Sequence, residues 1–377
     1  YEQGEGVTRD VAEAYLWCSL AARQETLRPE LKERFVNECD RLAATLDPSL
    51  LETVELRLKS WTPGFVAEHY QQLLKTNNCA RCVLKRGDFR HLSLGHVDLH
   101  GAELERGNFR GVDMRSANLN KANLTHAHFS GADLRDANLA NANLYYANLY
   151  GTTNLRGANL DYSDMRKVRM MNADLTKASL HSTDLRESHF GNTIFIKANL
   201  TNANLELAIM ASADLRGADL SNANLSNADF SHANLEGANL KGADLREADL
   251  SRTILNYADL SSANLSKANL ENSDLVGVLL NNANLSDANL TSVYMSGAGT
   301  SLREANLRNA NLMNSYLRNA NFFRADLRAA NLTGADLTGA NLSYANLRGA
   351  ILDRVNLNRA KLCGAKMSEP SEDSDNC

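Results

Sequence analysis

Two short stretches of this chain, 145–150 and 166–169, carry side chains suited to binding chemistry. The first stretch is rich in tyrosine and the second is basic. Aromatic ring faces attract cations, so tyrosines close to Arg or Lys are typical of a partner-binding patch. A ladder of stacked surface tyrosines would have the same composition, and this alternative stays open. The candidate residues are Tyr145, Tyr146, Tyr150, Arg166, Lys167 and Arg169.

One pair of cysteines, Cys79 and Cys82, has the spacing of a reactive motif. It could be half of a zinc site, but no second cysteine pair or histidine pair accompanies it. It could be a redox pair, although the strand–helix setting of such motifs is missing. We favour a packing role in the first turn of the repeat region, with a disulfide or a metal site as alternatives. Six cysteines in 377 residues predict no disulfide framework.

No residue pattern in the chain predicts a reaction centre. The nine histidines are mostly isolated, and the sequence contains no Gly-rich phosphate loop, nucleophile elbow or HExxH motif. Aspartate is abundant, but it recurs with a fixed period and is therefore structural. We predict a non-enzymatic protein with no catalytic residue, no cofactor and no metal.

Residues 82–369 contain 57 copies of a five-residue repeat. Each repeat has a small residue, then Asn or Asp, then a large apolar residue that we call the centre, and then two variable positions, as in Ala132-Asp133-Leu134-Arg135-Asp136. Leucine fills 44 of the 57 centres and Phe or Met fills the others, so this column is a packing constraint. A period this short predicts a solenoid, in which each unit packs on its neighbours.

The spacing also predicts how the chain runs. Residues two apart point the same way on an extended chain, so the small residue and the centre face inward and the Asn/Asp faces outward. The next inward pair begins three residues after the centre, so the chain must turn a corner there. An α-helix is excluded, because residues five apart do not stay on one face of a helix with 3.6 residues per turn. Two short insertions, near Gly151 and within 296–299, predict bulges.

This five-residue repeat resembles the A(D/N)LXX signature of the pentapeptide-repeat family. The resemblance implies a mainly β fold, a right-handed quadrilateral parallel β-helix with twenty residues per coil. At about 4.8 Å per coil, the repeats would form a rod on the order of 65 Å long. One coil would then bring Arg166 and Lys167 beside the first two tyrosines of the candidate patch. Ile194, Ile254 and Tyr294 would share one side as a weak apolar strip.

The first 81 residues have helical periodicity. We predict three helices in this part of the chain. The first covers residues 11–22, the second begins at Pro29 and has a buried side that extends to Leu46, and the third covers residues 48–61. Residues 1–24 resemble the second half of a Sel1-like repeat, a helix pair that stacks into protein-binding α-solenoids, and we expect further repeats before it. A fourth helix, 63–75, would cap the β-helix. The predicted buried side of the second helix comprises Leu31, Phe35, Cys39, Leu42 and Leu46, and the predicted plug comprises Phe65, Val66, Tyr70, Leu73 and Leu74.

These patterns divide the chain into four segments. We assign 1–61 to a truncated Sel1-like α-helical segment, 62–81 to the capping helix and linker, and 82–369 to the β-helix. Residues 370–377 are expected to be a disordered acidic tail. Exposed centres near Leu362 and Met367 could pair two protomers end to end, although the tail would oppose this.

The formal net charge of −5 hides an uneven distribution along the repeats. Residues 205–290 hold 12 acids and 5 bases, whereas 302–367 hold 4 acids and 10 bases. Some pentapeptide-repeat relatives resemble a DNA duplex in size and charge and thereby occupy DNA gyrase. A nearly neutral rod is a poor copy of a polymer with about one charge per 1.7 Å. Topoisomerase inhibition through DNA mimicry is therefore the alternative function, and nucleic-acid or anion binding by the basic coils is a weaker one.

We therefore predict a non-enzymatic protein–protein interaction scaffold or adaptor. Its partner is a protein whose identity the sequence does not reveal, and we expect neither a nucleic-acid partner nor a membrane span. A cytoplasmic location is slightly favoured. A periplasmic or secreted location stays open, because a signal peptide would precede Tyr1.

Overall fold

The structure is a computed structural model that describes residues 15, 18, 19, 22, 29–46, 63–90 and 92–367. The chain divides into two compact units, Tyr1–Gln71 and Gln72–Cys377. The predicted helices over 11–22 and 48–61 lie largely or wholly outside the described residues, as does the predicted tail over 370–377. Within the described part, every helix is too short or too polar to cross a membrane.

The first unit is built around α1, which spans Pro29–Ala43. Proline suits the first helical turn because its φ is already helical and it has no N–H to leave unpaired. Cys39 and Leu42 are buried with Cys18, to which Cys39 is joined by a disulfide. Phe35 was expected on the buried side, but it is 37% exposed. That expectation was wrong because the buried stripe of α1 covers only the turn around the disulfide.

The second helix, α2, spans Pro63–Thr76. It ends at Asn77, whose N–H donates to the Leu73 carbonyl and whose φ of 52° is left-handed, as is common after a helix. Leu73 is buried, whereas Leu74 is 49% exposed, so only one of these two plug residues is covered. The side chains of Phe65 and Val66 lie outside the described residues, and the capping role stays a prediction.

Residues 78–367 form a β solenoid held by single-residue parallel bridges. Each outward position pairs with its counterpart one coil on, as Asn118 does with Asn138, and the usual separation is 20 residues. Four such bridges occur per coil and stack into four ladders. Ladder 1 runs from Asn78 to Lys361, ladder 2 from Val83 to Lys366, ladder 3 from Asp88 to Ile351, and ladder 4 from Ser93 to Asn356.

Backbone hydrogen bonds join each coil to both of its neighbours. The N–H of the centre Leu99 donates to the Asn118 carbonyl, and the N–H of Asn118 donates to the Val97 carbonyl, each at 2.8 Å. This pattern recurs along the solenoid. Unpaired backbone groups are therefore concentrated in the terminal coils, where the solenoid has no further neighbour.

The corners are β-turns across the variable pair. In one of them the Ala102 N–H donates to the Leu99 carbonyl at 3.0 Å, and the intervening Gly101 has a φ of 63°. A positive φ at the third residue alone defines a type II turn, which favours glycine there. Many corners nevertheless hold larger side chains in this conformation, including Arg106 at 58° and Lys121 at 59°. The inter-coil hydrogen bonds fix these corners despite a cost on the order of 1 kcal/mol each.

The interior is filled by two columns of side chains, as the sequence predicts. The centre Leu220 is fully buried and the small residue Ala218 is 1% exposed. Rings in successive coils stack directly: Phe89 on Phe109 at 4.5 Å, and Phe109 on Phe129 at 4.8 Å. Close packing of this kind leaves the solenoid its outer surface for contact with other molecules.

The cysteines differ from expectation in one respect. Cys79 and Cys82 are buried core residues of the first coil, as predicted, but they are also joined by a disulfide. They are the first and last residues of a corner turn, which places their Cα atoms 5.2 Å apart, within disulfide range. Cys363 is disulfide-bonded too, and none of the described cysteines is free. The expectation of no disulfide framework was therefore wrong, because the number of cysteines does not report their distances.

The two insertions do not break the ladders. Asp133 bridges to Asn154 across the first insertion, and Leu279 bridges to Ser301 across the second. The extra residues are taken up at corners, where Gly151 and Gly297 have φ values of 91° and 117°. The outer surface therefore stays continuous along the solenoid.

Candidate functional site

Four of the six predicted site residues meet at the corner between ladders 2 and 3. Tyr145 and Tyr146 are the variable pair of one coil, and Arg166 and Lys167 are the variable pair of the next. The bridge between Asn143 and Asp164 aligns the two coils directly before this corner. The ladder register therefore places the two pairs one above the other. We call these four residues together with His126 the tyrosine–arginine patch.

The patch is held together by ring and cation contacts. The guanidinium carbon of Arg166 lies 5.3 Å from the Tyr145 ring centre, and the Lys167 ammonium lies 5.6 Å from that of Tyr146. The two tyrosine rings meet edge-on at 4.8 Å. His126, one coil earlier, stacks on Tyr146 at 5.3 Å. A cation at such a distance over an aromatic face is attracted to the ring, and this attraction is strengthened when a partner excludes water.

The remaining two predicted residues flank the patch. Arg169 occupies a ladder 3 position opposite Asn148 and is exposed. Tyr150 lies at the following corner and is 50% exposed. Within residues 92–367 neither side chain makes a ring stack, a cation–ring contact or an ion pair. They extend the same surface across ladder 3 without belonging to the packed cluster.

Acidic neighbours fix the two cations of the patch. Arg166 donates to both carboxylate oxygens of Asp164, at 2.9 and 2.7 Å, and Lys167 lies 3.5 Å from Glu187. Burial alone would raise the pKa of Asp164, but hydrogen bonds from Arg166 outweigh this and lower it. The pKa of Arg166 is raised by its hydrogen bonds to Asp164, and that of Lys167 by the charge of Glu187. Both cations are thus oriented before a partner arrives, which lowers the entropy lost on binding.

The Asp164–Arg166 pairing is one case of a rule along the solenoid. An Asp at a bridge position and an Arg two residues later point to the same wall, so the guanidinium closes on the carboxylate. Much of the arginine charge on the walls is therefore compensated locally. The pairs are Asp88–Arg90, Asp113–Arg115, Asp133–Arg135, Asp164–Arg166, Asp184–Arg186, Asp214–Arg216, Asp244–Arg246 and Asp326–Arg328.

These pairs predict how stability depends on pH. Hydrogen bonds from Arg115 lower the pKa of Asp113 to about 2, below the value of about 3.9 expected in an unfolded chain. The stabilisation is therefore present above that unfolded value and is lost as the pH falls towards 2. We expect the melting temperature to fall most steeply between pH 4 and pH 2, with a smaller fall below about pH 6.5 because burial lowers the pKa of His128 and opposes its protonation. Circular dichroism melts should show a shallower fall for Asp113→Asn; a steep fall already above pH 5 would contradict this assignment.

A surface depression of about 320 Å³ lies at the corner between ladders 4 and 1 in the first coils. Arg115 and Arg135 line it, and each is already paired with its own aspartate. His96 is its only imidazole and is joined there by neither a cysteine nor a second histidine. Ser116 and Asp136 also line the depression, but within the described residues no side-chain hydrogen bond joins either of them to His96. The depression gives no reason to assign a reaction.

A second aromatic feature lies on ladder 4. Tyr294 and Tyr316 stack at 4.6 Å and are 51% and 45% exposed. Ile254, two coils before Tyr294, is 40% exposed on the same ladder, and Ile194 is half-buried there. Tyr316 was not predicted because the second insertion shifts it from the usual spacing, and His126 was not predicted because it lies one coil before the tyrosines.

The bridges, the filled interior and the repeated corners define a β-solenoid repeat protein. A family model described as pentapeptide repeats matches the chain in segments that run from residue 78 to residue 368. The chain therefore belongs to the pentapeptide-repeat family. The matched residues do not include 1–77, and the Sel1-like resemblance there stays a prediction.

Several solved structures of pentapeptide-repeat proteins are similar to this chain. HetL, involved in heterocyst differentiation regulation in the cyanobacterium Nostoc, is 33% identical over 62% of this chain and 90% of its own, with a TM-score of 0.34. Rfr23 from the cyanobacterium Cyanothece is 34% identical over 29% of this chain and 63% of its own, with a TM-score of 0.17. QnrB1, a plasmid-mediated fluoroquinolone resistance protein, is 18% identical over 61% and 89%, with a TM-score of 0.25. No curated protein sequence matches the chain.

Proposed function

We propose that this chain is a non-enzymatic protein–protein interaction scaffold that binds a protein partner through the tyrosine–arginine patch. The observation that carries the proposal is the packing of Tyr145 and Tyr146 against Arg166 and Lys167 on an outer corner. Tyrosine and arginine dominate the energetics of protein interfaces. A filled interior leaves the walls as the contact surface.

The shape proposed for the scaffold is a right-handed, four-sided β-helix. Four bridges and four corner turns per coil support the four sides, and membership of the pentapeptide-repeat family supports the hand. Such a rod has flat walls, so the partner is expected to present a flat or gently concave face. The contact would centre on the patch and spread across ladder 3 to Arg169 and Tyr150.

Removing the patch is expected to abolish partner capture. A variant carrying Tyr146→Ala and Arg166→Glu loses an aromatic anchor and reverses a charge, and such hot-spot changes weaken binding by roughly 2 kcal/mol or more, about thirtyfold. Affinity capture from the native host with quantitative mass spectrometry measures this. The melting temperature of the variant should stay near that of the natural chain, because both side chains lie on the surface.

The chain offers a matched control for this experiment. Arg246 occupies the same corner and pairs with Asp244 as Arg166 pairs with Asp164, and Tyr257 is an exposed tyrosine at a different corner. The control variant Tyr257→Ala with Arg246→Glu should retain the partner. Equal retention of the partner by both variants would exclude the patch as its binding site.

The acidic middle of the solenoid supports DNA mimicry as a second candidate function. Residues 205–290 hold 12 acids and 5 bases, so this part of the solenoid has an excess of acidic side chains, which are spread over all four ladders. Arg216 and Arg246 compensate Asp214 and Asp244, which reduces its likeness to DNA. A supercoiling assay with purified DNA gyrase separates the candidates. The scaffold proposal predicts no inhibition by the chain, whereas mimicry predicts inhibition that weakens when Asp219, Asp229, Asp249 and Asp259 are changed to asparagine.

A further inference from the structure

We propose that the corner between ladders 4 and 1, over residues 254–316, is a docking site for a segment of a protein partner that combines apolar side chains with a Lys or Arg. This surface is separate from the tyrosine–arginine patch, and the proposal does not depend on that patch. We call the surface the apolar corner. It consists of Ile254, Tyr257, Asp274, Leu279, Tyr294 and Tyr316.

Large apolar side chains replace the usual Asn or Asp at the apolar corner. On ladder 4 the replacements are Ile254, Tyr294 and Tyr316, and on ladder 1 the replacement is Leu279. Tyr257 lies at the corner between the two ladders and is 66% exposed. These five exposed side chains lie within three coil steps, about 14 Å, which four or five extended residues of a partner would span. Contiguous exposed apolar side chains of this kind mark interaction sites.

The backbone at this corner is accessible because few long side chains cover it. Gly277 has a φ of 71°, and a Cβ there would lie 2.7 Å from the Tyr257 ring, so this ring rests against bare backbone of the next coil. One coil further on, the second insertion adds Gly297, Ala298 and Gly299 at the same corner. A partner's backbone can therefore approach the corner closely.

One carboxylate oxygen of the apolar corner lacks a hydrogen-bond donor. A ladder Asp commonly accepts from the N–H two residues later, as Asp249 does from Ser251 at 2.9 Å. The corresponding N–H after Asp274, that of Val276, donates instead to the side-chain oxygen of Asn256 at 2.7 Å. Asn256 in turn donates to Oδ2 of Asp274 at 2.9 Å. Oδ1 of Asp274 is buried and accepts no hydrogen bond within the described residues.

This oxygen identifies the polar group that a partner would supply. A buried acceptor without a donor is unfavourable, and a cation is the strongest donor to a carboxylate. Asp274 precedes Tyr294 by one coil on ladder 4, and Tyr294 stacks on Tyr316 of the following coil. A Lys or Arg that enters beside Asp274 would therefore meet the carboxylate and the opposite face of the Tyr294 ring. Asp274 as a whole is only half-buried, so a side-chain rotation is enough to expose this oxygen.

The charges around the apolar corner also favour a basic segment. Residues of 234–321 on ladder 4, on ladder 1 and at the corner between them include one base, Arg318, which already lies 3.8 Å from Asp336. At the neighbouring corner Arg252 and Glu271 add one charge of each sign. A second copy of the same surface is a poorer occupant, because two acidic surfaces repel each other. The acids of this surface, none of which forms an ion pair within the described residues, are Glu236, Asp259 and Asp274.

Peptide display on the full chain tests the chemistry of the partner. A phage-displayed library of random peptides is selected on the natural chain, and a variant with Tyr294→Ser and Tyr316→Ser removes peptides that bind elsewhere. The selected peptides should combine aliphatic or aromatic residues with Lys or Arg. Selection of acidic peptides, or no enrichment above a chain-free control, would overturn the proposal.

The affinity of a selected peptide tests the residues that the selection did not use. Fluorescence anisotropy should show binding weaker by about tenfold or more for Tyr257→Ser with Leu279→Asn, and by about fivefold for Asp274→Asn. Asparagine is normal at a ladder position, so these changes remove apolar surface or charge without disturbing the coil. Unchanged affinity in both variants would place the peptide outside the apolar corner.

Matched controls come from other parts of the solenoid. Tyr344 and Ile209 are 53% and 38% exposed at a corner and on ladder 3, and Asp229 is a ladder 3 acid of the same acidic region. Tyr344→Ser with Ile209→Asn, and Asp229→Asn alone, should retain the peptide. If the controls weaken binding as much as the test variants, the peptide recognises general charge or apolarity and the docking site is refuted.

Two further measurements separate this surface from other occupants. Sedimentation velocity should give the same mass for the natural chain and for Tyr257→Ser with Leu279→Asn; self-association that this variant abolishes would make a second copy the occupant and overturn the proposal. The variant Tyr146→Ala with Arg166→Glu should bind the peptide as the natural chain does. Failure of the tyrosine–arginine patch as a binding site and failure of the apolar corner are therefore distinguishable, and loss of the peptide from the patch variant would count against the apolar corner.

Discussion

Replacing Leu220 with aspartate is expected to lower the free energy of unfolding by about 4 kcal/mol or more. Leu220 is a fully buried centre, stacked between Leu200 and Leu240 of the adjacent coils. A carboxylate at this position would have no cation beside it and no water to solvate it. Urea denaturation followed by circular dichroism measures the loss as a shift in the transition midpoint.

The same substitution at an exposed leucine provides the control. Leu207 lies at a corner, is 53% exposed and has a φ of 59°. Aspartate tolerates the left-handed region better than leucine does, so Leu207→Asp should change stability by at most about 0.5 kcal/mol. Similar losses from the two substitutions would mean that the centre column does not face inward as described.

Enlarging the small column is the second substitution with a large expected effect. Ala218 is 1% exposed, and Ala198 and Ala238 occupy the same column in the coils before and after it. Ala218→Leu adds three carbons to the column of small residues, and the column of centres beside it is already filled by leucine. Overpacking typically costs 1–3 kcal/mol, and we expect about 3 kcal/mol here because the inter-coil hydrogen bonds prevent the walls from moving apart.

A drop in melting temperature measures the cost of Ala218→Leu. Ala211 serves as the matched control, since it is an alanine at an outward variable position and is partly exposed. Ala211→Leu should leave the melting temperature nearly unchanged. Full retention of the melting temperature by Ala218→Leu would show that the interior has room to spare.

The period of the sequence was enough to predict the walls and the interior. The inward centre and inward small residue follow from alternation on an extended chain, and Leu220 and Ala218 are buried as that argument requires. The twenty-residue coil came from the family resemblance, and the bridges bear it out. Once the coil length is known, the contact of Tyr145 with Arg166 follows by counting along the chain and allowing for the insertion.

Features that depend on distances could not be predicted from the sequence in the same way. The Cys79–Cys82 disulfide depends on the width of a corner turn, which residue types alone do not give. The placement of Lys121 at a positive φ is imposed by hydrogen bonds to other coils and runs against the local preference of lysine. The prediction that Phe35 is buried was wrong for a different reason. The helix was predicted correctly, but only part of its apolar face is covered in the first unit, and Phe35 lies outside that part.

The local pairing of Asp with Arg affects any function assigned to this rod. A charge count over a long window treats Asp164 and Arg166 as a free acid and a free base, but the structure joins them. Unpaired charge is therefore more localised than the composition indicates.

A crystal structure of the chain is the most direct test of the central claim, that a filled β solenoid leaves only its outer walls and ends for binding. It should show bridges between residues one coil apart, a continuous column of centres with no enclosed cavity, and Tyr146 stacked between His126 and Lys167. A ligand in an enclosed interior cavity, or a winding in which Leu220 and its equivalents meet solvent, would contradict it.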